Sequence, residues 1–100
     1  MTLNDVMKAV CRAYGVTRTE IRGKGGTRRP LSQARAAFCY HARMETTRSY
    51  GEIGLFCHLD NSTVHHHARQ YPENIHRYGD DKAERCRVLI DAERRTPAAA

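Results

Sequence analysis

Ser49-Tyr50-Gly51-Glu52-Ile53-Gly54-Leu55-Phe56-Cys57-His58-Leu59-Asp60-Asn61-Ser62-Thr63-Val64-His65-His66-His67-Ala68-Arg69-Gln70-Tyr71 is the stretch whose reading decides the fold. Ser49-Tyr-Gly-Glu52 is a capping box, in which the Ser hydroxyl and the Glu carboxylate each satisfy a free backbone N–H at a helix start. It predicts a short helix through Phe56 with Ile53 and Phe56 turned to a core, then a tight connection at Cys57-His58-Leu59. Asp60 or Asn61 caps a second helix over residues 62–71, where Val64, Ala68 and Tyr71 recur at helical spacing as a buried stripe. Two short helices joined by so small a turn have helix-turn-helix dimensions. The second begins with the small polar residues Asn61, Ser62 and Thr63, which suit a first turn that enters a DNA major groove. Asn pairs bidentately with adenine, Thr meets a thymine methyl or a phosphate, and the helix N-terminus offers N–H groups to a phosphate. A plain N-cap accounts equally for Asp60, Asn61 and Ser62, and both readings stand at this point.

Outward from that pair the chain keeps to helical spacing. Residues 4–14 place Val6, Ala9, Val10 and Ala13 on one side, and Gly15 supplies a stop. Thr17-Arg-Thr-Glu20 is another capping box, for a short helix through Arg22. Gly23-Lys24-Gly25-Gly26-Thr27-Arg28-Arg29-Pro30 holds three glycines and a proline and reads as a flexible basic loop. A helix from Leu31 or Ser32 to Met44 follows, with Ala34, Ala37, Phe38 and His41 on one face. Pro72 is expected to break or restart the chain. Asp80-Asp81 caps a last helix through about Arg94, with Ala83, Cys86, Leu89 and Ile90 inward. No strand alternation and no repeat appears, so the expectation is an all-α, small multi-helix domain. Residues 1–95 form the single domain and 96–100 a disordered tail.

The chain has 100 residues with 17 Lys+Arg against 11 Asp+Glu, a net charge of +6. That length admits one domain and excludes large catalytic architectures. Only 7% of residues are aromatic and none is Trp, which argues against a sheet sandwich. The surplus is local: residues 12–48 carry nine Lys/Arg and two acids, while the remainder nets −1. One-sided charge of this kind points to an anionic partner, nucleic acid first. No apolar run is long enough to span a membrane, and residues 1–10 do not read as a secretory signal. Cys11, Cys39, Cys57 and Cys86 are widely spaced without a Cys-x-x-Cys pair, and are read as reduced, partly buried thiols. The localisation these features imply is cytoplasmic and nucleoid-associated.

The order Glu52-Ile53-Gly54, Asp60-Asn61-Ser62-Thr63-Val64, Ala68-Arg69 resembles the signature of the C-terminal DNA-binding domain of the bacterial replication initiator DnaA. Ala34-Arg35-Ala36-Ala37-Phe38-Cys39-Tyr40 and the upstream Val10 … Tyr14-Gly15-Val16 are similar to that family in order, and the likeness covers roughly residues 4–76. The resemblance implies a Trp-repressor-like helix-turn-helix that binds a short asymmetric duplex box. Carried over, Asp60, Asn61, Ser62 and Thr63 match the turn that reads bases and contacts phosphate. Arg35 matches a DNA-contacting Arg on the long helix, and Arg28, with Lys24 and Arg29, matches a basic loop that reaches the minor groove. His65, His66 and Arg69 extend the same face. Asn61 stands where the family has His, Ala36 where Gln is frequent, and the turn before Asp60 is one residue shorter without a Gly-Gly pair. Those departures imply a base preference different from the initiator's own box. Gly23-Lys24-Gly25-Gly26-Thr27 is not a Walker A motif, so the expectation is a freestanding module without an ATPase motor, in transcriptional regulation or replication control.

Other readings compete. His65-His66-His67, with Cys57-His58 and Cys39-x-His41, invites a metal site, but consecutive helical residues fan out by about 100° and cannot all hold one ion. No metal and no cofactor is therefore expected. No nucleophile motif frames the Cys, His and Asp residues, so no enzyme is expected. A protein-interaction or anti-initiator module with only nonspecific DNA binding is the alternative function, with a homodimer through the last helix possible. Double-stranded DNA is favoured over RNA because few aromatics are available to stack bases.

Overall fold

The computed structural model describes residues 1–23 and 30–95. The expected basic residues Lys24, Arg28 and Arg29, and the expected tail 96–100, lie outside the described residues. Six helices run in order: α1 Leu3–Tyr14, α2 Arg18–Arg22, α3 Leu31–Glu45, α4 Tyr50–Cys57, α5 Asn61–Tyr78 and α6 Ala83–Arg95. No strand occurs among the described residues, and the chain is all-α.

Local chemistry starts most of these helices. Capping boxes join Thr2 to Asp5, Thr17 to Glu20 and Ser49 to Glu52, each with both reciprocal bonds made. Gly15 ends α1 in the left-handed region at φ 68°, donating to the Cys11 carbonyl. The core is centred on α3, whose Ala34, Ala37, Phe38, Cys39 and Ala42 are fully buried. Three alanines there let α1 and α5 approach its backbone closely, and α4 in turn lies on α5. Phe56 is half-buried and stacks on Phe38 with centroids 5.7 Å apart. α6 spends Cys86 and Ile90 on α1 within this chain, as ordinary core packing.

Pro72 does not break the chain: α5 continues through it to Tyr78. A proline in mid-helix removes one backbone bond and crowds the preceding turn, at a cost of about 3 kcal/mol. The flanking turns offset it. Tyr71 is buried and Ile75 packs on the core, so breaking the helix at Pro72 would withdraw both apolar side chains.

Tyr14, Tyr71 and Asp80 tie the two ends of the molecule together. The Tyr14 hydroxyl lies 2.7 Å from Asp80 Oδ2 and 2.7 Å from the Tyr71 hydroxyl. Tyr14 has one proton and gives it to the carboxylate, so Tyr71 donates to Tyr14. Burial, first, pushes both phenols above their ordinary range, and the bonds to Tyr71 and Asp80 add to the shift of Tyr14, while the bond to Tyr14 acts against that of Tyr71. The bonds fix α1, α5 and the start of α6 in one arrangement.

His41 is also buried, edge-on to Tyr40 and Tyr71 at 5.0 and 5.7 Å. Burial lowers its pKa from 6.5 to about 4, with Glu45 and Asp91 acting against that shift and Arg94 with it. The unfolded chain therefore binds a proton on this group between pH 6.5 and 4 that the folded chain refuses. Stability from His41 is complete above pH 6.5 and is lost as pH falls toward 4. Half-buried His67, lowered by burial first, acts in the same direction. Urea midpoints at pH 7 and pH 5 are expected to differ, and His41→Phe is expected to shrink the difference. An unchanged difference in the variant would assign the effect elsewhere.

Candidate nucleic-acid interface

The turn between α4 and α5 is built without a glycine at its sharpest point. His58 takes the left-handed conformation at φ 63°, the one non-glycine residue among those described that does so. The amides of His58 and Leu59 both turn back on the Gly54 carbonyl, the second at 2.9 Å. This closure brings Leu59 over α4 at Gly54. A Cβ at residue 54 would overlap the Leu59 carbonyl oxygen and lie 3.4 Å from Val64 Cγ2. Gly54 thus permits the close approach that sets α5 across α4.

Asp60 is the cap of α5, its Oδ1 accepting from the Thr63 amide at 2.7 Å. That backbone bond, first, holds the Asp60 carboxyl below its usual range. Asp60 accordingly serves the helix start, and Asn61, Ser62, His65, His66 and Arg69 are the side chains left exposed along it. Thr63 and His67 are half-buried at the edges of this ridge, while Val64, Ala68 and Tyr71 fill the core side. The predicted stripe is the observed one.

Arg35 is put to a different use from the one its resemblance implied. Only 9% of it is exposed. Its Nε donates to the Ile21 carbonyl at 3.0 Å, and its Nη2 to those of Glu20 and Gly23 at 2.9 and 2.8 Å. These carbonyls lie at the C-terminal end of α2, where a cation is also favoured by the helix dipole, and that of Glu20 also accepts from the Gly23 amide at 3.2 Å. The physical reason for the difference is that the ends of α2 and α3 converge where residue 35 emerges. Arg35 anchors the chain at Gly23, where the basic stretch begins.

Charge is divided between two sides of the molecule. Around α6 and the far end of α5, Arg77 pairs with Glu73, Arg87 with Glu84 and Asp91, and Arg94 with Glu45 and Asp91. Near the helix-turn-helix, Arg48 pairs with Glu52 at 3.0 Å. Arg18, Arg22, Arg43 and Arg69 make no such pair among the described residues. Arg22 instead lies over the Phe56 ring at 4.7 Å and donates to the Phe56 carbonyl at 2.8 Å. Arg43 lies 5.1 Å over the Tyr50 ring, and Tyr50 meets the His65 ring edge-on at 4.9 Å. No sequence pattern marks Tyr50, because nothing in a capping box tells which neighbour its first helical residue will touch.

Among the described residues no group of three or more His, Cys, Asp or Glu is gathered as a metal site requires. The cysteines form no disulfide with one another, and three of the four are buried. No helix among the described residues is long and apolar enough to cross a membrane.

No curated protein and no solved structure matches the chain. The family model described as the bacterial DnaA protein helix-turn-helix matches residues 3–70, from α1 through the first half of α5. A chain that carries this match over most of its length, with α4 and α5 in the required turn, belongs to the DnaA C-terminal helix-turn-helix family, a family of DNA-binding domains.

Proposed function

We propose that this chain binds double-stranded DNA sequence-specifically, with the start of α5 in the major groove. The observation that carries this reading is the exposed ridge Asn61, Ser62, His65, His66 and Arg69, set on a capped helix, with Arg18, Arg22, Arg43 and Arg69 in no ion pair among the described residues. A polar, uncluttered helix start supplies base contacts, and the cations supply most of the affinity through phosphates. Five such phosphate contacts would give a slope of log K against log salt of about −4 to −5. Arg28 and Lys24, with Arg29, are proposed to reach an adjacent minor groove from the basic loop that Arg35 anchors at Gly23. The departures at Asn61 and Ala36 support a box unlike the initiator's own. A module of this kind acts in replication control or transcriptional regulation, at the nucleoid.

Selection of bound duplexes from a random pool tests the reading. An enriched asymmetric box supports replication control or initiator titration, a palindrome supports a dimeric regulator, and no enrichment overturns sequence specificity. On the enriched box, Asn61→Ala is expected to lose about 1–3 kcal/mol of discrimination at one base pair. Arg28→Ala is expected to weaken all duplexes alike and flatten the salt slope by about one. A variant Asn61→Ala with the parent's base preference would remove Asn61 from the reading surface.

A further inference from the structure

Three side chains from three helices meet beside the start of α5 in a contact that the roles above do not use. Tyr50 is the first residue of α4, and the Ser49–Glu52 capping box fixes the backbone that carries it. Its half-buried ring bears Arg43 of α3 on one side, with the guanidinium carbon 5.1 Å from the centroid, and His65 of α5 edge-on at 4.9 Å. Arg43 and His65 are exposed, and neither makes an ion pair with a carboxylate among the described residues. His65 stands one helical turn after Asn61, so the cluster lies alongside the ridge assigned to base reading.

We propose that Tyr50 is a positioning residue for DNA recognition, holding Arg43 and His65 together against the phosphates of one strand. The inference rests on the reading of α5 as the major-groove helix. A free arginine spends rotamer entropy when it docks on a phosphate, whereas one resting on an aromatic face spends less. The ring also shields the guanidinium from water on one side while leaving its N–H fork outward. Arg48, two residues before Tyr50, is held by Glu52 at 3.0 Å and is not equivalent. The partner this surface fits is therefore a run of phosphates on one strand, flanking the base pairs that Asn61 meets.

The test uses the whole chain and a duplex taken from the selection above, with binding followed by fluorescence anisotropy. Tyr50→Leu is expected to weaken binding by about threefold to tenfold while leaving the salt slope unchanged, because no charge is lost. Tyr50→Phe keeps the ring and is expected to match the parent. Arg43→Ala is expected to weaken binding and reduce the slope by about one. In the Arg43→Ala background, Tyr50→Leu is expected to cost clearly less than in the parent, a coupling that a merely structural tyrosine would not show. Arg43→Ala and His65→Ala change exposed side chains, so they decide the matter if Tyr50→Leu does not fold. Parental binding by both, or fully additive losses of Tyr50→Leu and Arg43→Ala, overturns the inference alone. A parent chain that enriches no duplex overturns the major-groove reading and the inference with it.

Discussion

Gly54→Ala is expected to lower stability by about 2–3 kcal/mol and to abolish tight binding to the selected duplex. In an ordinary helix the exchange stabilises by about 0.5–1 kcal/mol, since Ala loses less backbone freedom on folding. Residue 54 lies inside α4, and its backbone would accept an alanine; the obstacle is the neighbour. The added Cβ falls on the carbonyl oxygen of Leu59, in the turn, with Val64 Cγ2 at 3.4 Å behind it. A flexible side chain would give way cheaply, but a backbone carbonyl moves only with the turn. That turn is held by the bond from the Leu59 amide to the Gly54 carbonyl at 2.9 Å. Relief therefore has to displace Leu59, and with it Asp60 and the first turn of α5. Overpacking of this kind costs about 1–3 kcal/mol, at the upper end where the obstacle is rigid. For a domain of this size the melting temperature would fall by about 10 °C or more.

Gly51→Ala is the control. A Cβ there meets nothing closer than the Ser49 hydroxyl at 3.8 Å. It is expected to be neutral or stabilising by up to about 1 kcal/mol, with DNA binding unchanged. Thermal unfolding of the two variants side by side separates close approach at residue 54 from any general cost of alanine in α4. Equal melting temperatures for Gly54→Ala and the parent would show that α5 is not held against α4 as described.

The same contrast explains how far the sequence could be read. Helix starts were legible where side chain and backbone close a local loop: Ser49 with Glu52 and Thr17 with Glu20 are formed as their spacing predicts. The buried stripe of α5 was legible because periodicity needs no knowledge of the partner helix. Three features depend on distant chain and were not legible. Pro72 reads locally as a stop, yet α5 continues because Tyr71 and Ile75 find the core only if it does. Tyr50 gains its contacts from Arg43 and His65, on helices before and after its own. His58 adopts positive φ without being glycine, because Gly54 draws the chain back sharply at that point. Gly54 itself stands in the motif that carried the family resemblance, but the reason for it appears only when Leu59 lies over it.

Arg35→Ala is expected to cost about 3–5 kcal/mol, the largest loss from any single arginine here. The guanidinium donates to the carbonyls of Glu20, Ile21 and Gly23, and hydrogen bonds from a charged group contribute about 1.5–3 kcal/mol each. The bonds share one side chain, and water reaches part of the site once it is gone, so the total stays below their sum. Arg35→Lys is expected to recover little, because an ammonium cannot span the three carbonyls with a planar fork. Arg35→Met keeps the packing of the stem and removes the donors, which separates the two contributions. DNA affinity should fall in all three variants, because α2 and the chain leaving Gly23 lose their anchor on α3. The order of effects distinguishes this role from direct contact with DNA. An anchoring arginine lowers the melting temperature of the free protein in proportion to its loss of binding. A contacting arginine weakens binding and flattens the salt slope while the free protein melts unchanged. Denaturant melts of the free variants, measured beside their duplex titrations at several salt concentrations, decide between the two. A parental melt for Arg35→Ala would return residue 35 to the DNA surface that its resemblance implied.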